Sequence, residues 1–197
     1  KAATARADLM AHSLTAKPPS PLYRQLLEAH VDPADIERVT LVGPAFADDH
    51  ADVAKHLAWM LSEGVAVDLV VDTHLSPAEI NEHGGRVQVP SGLLAGLESR
   101  VGPQFVTVYG SSSADDSGAT RRLHGKAITV HTTDRAYSVV GSANLTVRGL
   151  TGLTREMVAL IDHEGPHDSL AGLNCAAVDR DHIDPTLRRD TLPDGVT

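Results

Sequence analysis

The sequence predicts an α/β domain, and three observations predict it. Val39 to Val42 and Val65 to Val71 are short apolar runs, with a stretch of helical spacing between them. Strand, helix, strand at this separation is a parallel βαβ unit. Leu123 to Val130 alternates like a strand, Ala136 to Val140 is a second β-prone run, and the polar Thr132-Thr133-Asp134-Arg135 between them suits a hairpin turn. The third observation is size. With 197 residues, 42% of them hydrophobic, the chain can bury the core of one domain. Aromatic residues make up only 3%, so that core must be built from Val, Leu, Ile and Ala.

Composition narrows the setting. Charged residues are 22%, ordinary for a soluble globular chain. A single cysteine, Cys175, excludes a disulfide within the chain and favours a reducing cytoplasm. No apolar run approaches a membrane span, and no secretory signal is present. The expected setting is therefore cytoplasmic, away from the membrane. The chain begins at Lys1, which reads as a boundary within a longer protein. The formal net charge of −9 argues against tight non-specific binding of nucleic acid by this domain alone. It leaves room for a local basic site, and Arg121, Arg122, Lys126, Arg148 and Arg155 gather around one stretch.

In chain order, residues 1–16 read as a helix of Ala and Leu, broken by Lys17-Pro-Pro-Ser-Pro21. Helical spacing resumes over Leu22 to His30, and Asp32-Pro33 fits a helix start. After the strand at Val39 to Val42, a helix is expected from about Asp49 to Ser62, stopped by Gly64. In parallel sheets ligands lie at the carboxyl ends of the strands, so Phe46, Asp72 and His74 are candidate rim residues. A short helix is expected at Ser76 to Glu82, another at Ser91 to Ser99, and a strand at Phe105 to Tyr109. Residues 110–120 are polar and of low complexity, a loose surface loop or a lid leading into the hairpin. Beyond the hairpin, Leu145 to Leu153 suits a loop or one helical turn, and Glu156 to Ile161 and Leu173 to Val178 suit strands. His163 and His167 have metal-like spacing, but Gly165-Pro166 lies between them and a second cysteine is lacking, which disfavours zinc. The division expected is an N-terminal helical segment (1–35), a catalytic domain (36–179) and a linker or truncated tail (180–197).

The hairpin carries the chemistry. Positions two apart on a strand share a face, so His124 and Lys126 stand side by side. A turn near Thr133 returns Gly141, Ser142 and Asn144 beside them. Imidazole, ammonium, hydroxyl and amide in one patch are what a phosphate ester needs. They supply a nucleophile, a fixed positive charge, and neutral donors for oxygens that gain charge. Such a patch predicts phosphoryl transfer without a metal or other cofactor.

His124-x-Lys126, then Asp134, then six residues, then Gly141-Ser142-Ala143-Asn144 resembles the signature of the phospholipase D superfamily. The family's later Glu is matched by Glu156. Its Asp normally stands five positions after the Lys, where this chain has His131. Asp134 keeps the usual distance to the Gly-Ser pair, as a three-residue insertion in the turn would produce. Gly43-Pro44-Ala45-Phe46 is similar to a relaxed form of the family's turn after the first strand. The resemblance implies a phospholipase D-like α/β fold: a mixed, mostly parallel β-sheet flanked by helices on both faces.

It also implies roles. His124 would be the nucleophile, forming a phosphohistidine. Lys126 and Asn144, helped by Ser142, would hold the non-bridging oxygens. Glu156 would accept a hydrogen bond from the other ring nitrogen of His124, and Asp134 and Gly141 would be structural. Arg122 and Arg148 join Phe46, Asp72 and His74 as possible substrate contacts. Family members use a second His from a second motif as general acid, and no other histidine here has a lysine two residues on. The implied partner is a second copy in a homodimer, or the missing half of a longer protein. Gly141 to Leu150 looks most like bacterial nucleases tied to restriction and phage defence, which makes nucleic acid the expected substrate. The alternatives are a phospholipid hydrolase, or a non-catalytic domain binding DNA or a partner within a larger defence or repair protein.

Overall fold

A computed structural model describes residues 6–11, 21–43, 50–73, 87–111, 123–151, 156–165 and 167–184. The strands are β1 (Arg6–Ala11), β2 (Arg38–Gly43), β3 (Ala66–Asp72), β4 (Val87–Gln88), β5 (Val106–Ser111), β6 (Ala127–His131), β7 (Arg135–Gly141), β8 (Met157–Glu164), β9 (Cys175–Ala177) and β10 (Ile183–Asp184). The helices are α1 (Leu22–Leu27), α2 (His50–His56), α3 (Ser91–Val101) and α4 (Val147–Thr151).

Eight strands form one sheet in the order β1-β8-β7-β6-β2-β3-β5-β9, and β10 pairs with β4 separately. The predicted βαβ unit is its centre. β2 and β3 run parallel, Leu41 beside Leu69, and β3 and β5 run parallel, Leu69 beside Val108. Among the described residues of the eight-stranded sheet, parallel pairing is confined to these three strands; β10 runs parallel to β4 outside it. The hairpin joins antiparallel to β2, with Leu41 beside Ile128, and β8 and β1 follow antiparallel. Only β6 and β7 are joined by a tight turn, which must reverse the chain, whereas the parallel neighbours β2 and β3 need a crossover. Gly64, with φ of 88°, turns the chain at the end of that crossover, just before β3.

The register stacks one apolar row across the sheet. Val39, Leu41, Val67, Leu69, Val108, Ile128, Val130, Val139, Val158 and Leu160 are all buried and form one cluster with Tyr23, Leu27, Val53, Leu57, Leu93, Leu97 and Leu150 from the helices. Each such side chain stabilises the fold by roughly 1.5–3 kcal/mol. All four described helices contribute to the cluster on this face. The opposite face mixes buried Val42, Val70 and Ala136 with Thr40, Asp68, Ser111, Thr129 and Ser138, all buried yet polar. Residues 167–174 cross it. The Ser169 hydroxyl shares a 2.6 Å hydrogen bond with Thr40, and Ser111 Oγ donates to the Leu173 carbonyl.

Three expectations are corrected. Residues 6–11 are a strand, not a helix, and pair along β8 from Arg6–Asp162 to Ala11–Met157. The helix propensity of Ala and Leu is a few tenths of a kcal/mol each, and the ladder of backbone bonds along β8 outweighs it. α1 packs into the core, so within the expected N-terminal helical segment the described residues 6–11 and 21–35 join the sheet and core of the domain. Residues 180–184 are docked rather than a free linker: Arg180 bonds Glu98 and the Pro103 carbonyl, and β10 pairs with β4. Asp32 does cap a turn, accepting from Ala34 N at 2.9 Å, but the turn is one 3-10 turn, Pro33–Asp35. The helix expected at Ser76 to Glu82 lies outside the described residues, as do 112–120.

Candidate active site

β6 runs antiparallel to β2, so its first residues arrive at the carboxyl ends of β2 and β3. That is where the loop preceding it brings His124. The strand begins at Ala127, later than the alternation implied, and residues 123–126 are extended without ladder bonds. Asp72, at the end of β3, anchors this approach by accepting from Leu123 N at 3.2 Å. On the return strand Gly141 N donates to the Lys126 carbonyl at 3.2 Å. The hairpin therefore closes as predicted and sets Gly141-Ser142 beside Lys126.

Lys126 is 8% exposed, and its stem lines a cavity of about 20 Å³ together with Leu22, Tyr23, Ile128 and Leu145. The residue is buried, and its charged head ends on His124. Its ammonium donates to the His124 carbonyl at 3.0 Å and lies 3.3 Å from His124 Nδ1. An ammonium can only donate, so in this contact Nδ1 accepts and a neutral ring carries its proton on Nε2. The ring itself is exposed. A nucleophile open to solvent beside a fixed cation is the pairing expected for attack on an anionic ester.

Ser142 is held from both sides. Its N–H donates to the Met157 carbonyl at 2.9 Å, and its hydroxyl accepts from Met157 N at 3.0 Å. The hydroxyl proton goes to Glu156 Oε2 at 2.5 Å. The Ser142 hydroxyl proton is thus engaged by the Glu156 carboxylate in this structure. Gly141 makes this meeting possible, since a Cβ there would sit 2.1 Å from the Met157 carbonyl oxygen. Asn144 opens the turn into α4, its carbonyl accepting from Thr146 N at 2.8 Å. Arg148 is exposed on α4.

Asp134 is not brought to this patch. It is exposed in the turn between β6, which ends at His131, and β7, which begins at Arg135, at the far end of the hairpin. Phe46, His74 and Arg122 lie outside the described residues. Sequence reasoning missed Leu22 and Tyr23, whose packing behind Lys126 leaves no local trace, and Thr146, whose position just before α4 was a signal for a cap.

A second titratable cluster lies on the polar face. His163 and His167 stack with centroids 3.7 Å apart, and His131 lies 6.5 Å beyond His167. His131 Nε2 pairs with Ser169 Oγ, and His163 Nε2 with Ser138 Oγ. Burial, then the neighbouring His167 and Arg38, push His131 down to about 4, and burial followed by His167 lowers His163. Burial raises Asp68 against the opposing effect of Arg38, 3.0 Å away. Among the described residues no group of three or more His, Cys, Asp or Glu side chains is arranged to hold a metal ion, and no helix is long and apolar enough to cross a membrane.

Comparison with known proteins bears on this arrangement. A family model described as "Cardiolipin synthase, PLD-like domain" matches residues 10–172. The solved structure of NucT from Helicobacter pylori is similar with a TM-score of 0.46 and 14% identity, over 81% of this chain and 86% of that one. Nuc from Salmonella typhimurium, a phospholipase D family member, gives 0.42 and 15%, over 83% and 86%. Polyphosphate kinase from Porphyromonas gingivalis gives 0.34 and 12%, over 69% of this chain and 16% of that one. No curated protein sequence matches. With the family model covering most of its length and the hairpin patch in place, the chain belongs to the PLD-like domain family of the phospholipase D superfamily.

Proposed function

We propose that this chain is a metal-independent phosphodiesterase that cleaves nucleic-acid phosphodiester bonds through a phosphohistidine intermediate. The observation that carries the reading is the exposed His124 ring backed at 3.3 Å by the buried-stem ammonium of Lys126. A bare ring nitrogen of His124 attacks phosphorus, and the bond from phosphorus to the leaving oxygen breaks. That oxygen takes a proton from a general acid, the histidine of a second motif. Water then attacks the phosphohistidine, gives its proton to the same histidine, and frees His124. Lys126 and Asn144 hold the non-bridging oxygens as charge builds on them. Glu156, oriented by Ser142, accepts the N–H of the other ring nitrogen and stabilises the imidazolium, as a carboxylate does for catalytic histidines generally. For this the exposed ring turns, releasing Nδ1 from Lys126. The second motif comes from a partner copy in a homodimer or from another part of a longer protein, acting in the cytoplasm, and antiphage defence is the setting we favour.

The test is hydrolysis of bis(p-nitrophenyl) phosphate in EDTA by the wild type and by His124→Ala. Turnover that survives chelation and vanishes in the variant supports the reading. Turnover that needs a divalent metal, or survives in the variant, sinks it. The net charge of −9 keeps phospholipid hydrolysis as the second reading. An oligonucleotide cleaved with steep salt dependence favours the first. Hydrolysis of phosphatidylcholine vesicles, with the oligonucleotide intact, favours the second.

A further inference from the structure

Gly149 lies outside the matched motif, yet its backbone presses on the residue that closes it. A Cβ at Gly149 would sit 2.4 Å from the Asn144 carbonyl oxygen and 2.9 Å from Asn144 N. These are backbone atoms, so no flexible side-chain tip can swing away to make room. The turn between the two residues is tight. Thr146 N donates to the Asn144 carbonyl at 2.8 Å, and Gly149 N donates to Thr146 Oγ1 at 3.1 Å, which makes Thr146 the cap of α4. Nor can α4 retreat. Gly149, Leu150 and Thr151 are buried, and the helix packs against α1 and α2. A methyl group at position 149 must therefore move Asn144.

From this we infer that Gly149 is a positioning residue for Asn144: its missing side chain sets where the Asn144 amide stands relative to His124 and Lys126. The inference rests on the phosphodiesterase reading and deepens it. A donor that acts on charge developing in the transition state loses its effect with small displacements, while ground-state binding changes little.

Gly149→Ala should lower kcat by about tenfold or more and leave KM within about threefold. The loss should be absent in an Asn144→Ala background, since the two changes act through one group. An activated p-nitrophenyl ester keeps the residual turnover of Asn144→Ala readable. Gly96→Ala is the control. Its Cβ would meet Ala54 Cβ at 2.6 Å where α3 crosses α2, crowding of the same kind away from the site. It should lower Tm and leave kcat unchanged. An unchanged kcat in Gly149→Ala overturns the inference, and so does an equal loss in the presence and absence of Asn144. If Gly149→Ala does not fold, Thr146→Val removes the acceptor of Gly149 N and reads the linkage from the other side. Its kcat loss must likewise disappear in the Asn144→Ala background, or the inference falls. Failure of the underlying reading appears separately, as wild-type turnover that does not depend on His124, and it overturns both.

Discussion

At the scale of the residue, Lys126 divides its work between stem and head. The stem packs against α1 and the first turns of the hairpin, and the head meets His124. Lys126→Met keeps the stem and removes the charge. It should fold normally and lose about 10²–10³ in kcat, measured alongside a thermal melt. Ser142→Ala should lower kcat less than Glu156→Gln does, because the hydroxyl acts by orienting the carboxylate. A larger loss for Ser142→Ala would show the serine touching substrate. The hairpin beside which His124, Lys126, Gly141, Ser142 and Asn144 stand was legible in the sequence, because two β-prone runs flank one polar turn. The strand face expected to align His124 with Lys126 is not formed, since β6 begins only at Ala127. The place of Asp134 was not legible, since counting back from the Gly-Ser pair ignores which residues the turn loops out. Gly149 was not legible either, as its close approach depends on α4 being wedged by helices distant in sequence.

At the scale of the element, the segment 167–174 is held on the sheet by Ser169, bonded to His131 and Thr40, and by His167 stacked on His163. His131 faces His167 and Asp168 from that segment, Arg38 from β2 and His163 from β8. Its folded value of about 4 lies below the ordinary 6.5. The unfolded chain therefore binds more protons than the folded one between these values, and stability rises with pH across that window. His163 contributes with the same sign. Asp68, raised from 3.8, acts with the opposite sign at the acid end, so the effect is read as a difference between proteins. Thermal melts from pH 4 to 7 should show Tm climbing to about 6.5 and then levelling. His131→Gln should show a shallower climb, and an equal slope in both would remove His131 from the account. The central strands were legible as elements because each is an apolar run bounded by turn residues. The cover that residues 167–174 lay on the polar face was not, because its buried Thr and Ser residues resemble ordinary exposed strand positions until the crossing segment is seen.

At the scale of the whole molecule, the proposed reaction draws its general acid from a second motif, in a homodimer or elsewhere in a longer protein; on the homodimer reading the active unit is the dimer. Turnover should therefore follow the fraction of dimer as the protein is diluted, with mass in solution measured in parallel. A strict monomer with full turnover would end the two-motif account. The scaffold beneath is a single apolar row, and Leu41 at its centre is 0% exposed. Leu41→Ala should cost about 2–5 kcal/mol in denaturant unfolding, since the surrounding strands cannot close the hole.

The first described strand is also the last in the sheet. β1 lies along the outer side of β8, the strand that starts beside Glu156. A protein shortened past residue 11 would keep its apolar row and its hairpin patch, but the rim of β8 would be bare. Unpaired strand rims recruit one another. Such a shortened protein should come off a sizing column as a broad, concentration-dependent smear, which a careless reader could mistake for the active dimer. With β1 in place the open rim of the sheet passes from the eight-residue β8 to a strand of six residues, and shorter edges recruit neighbours less readily.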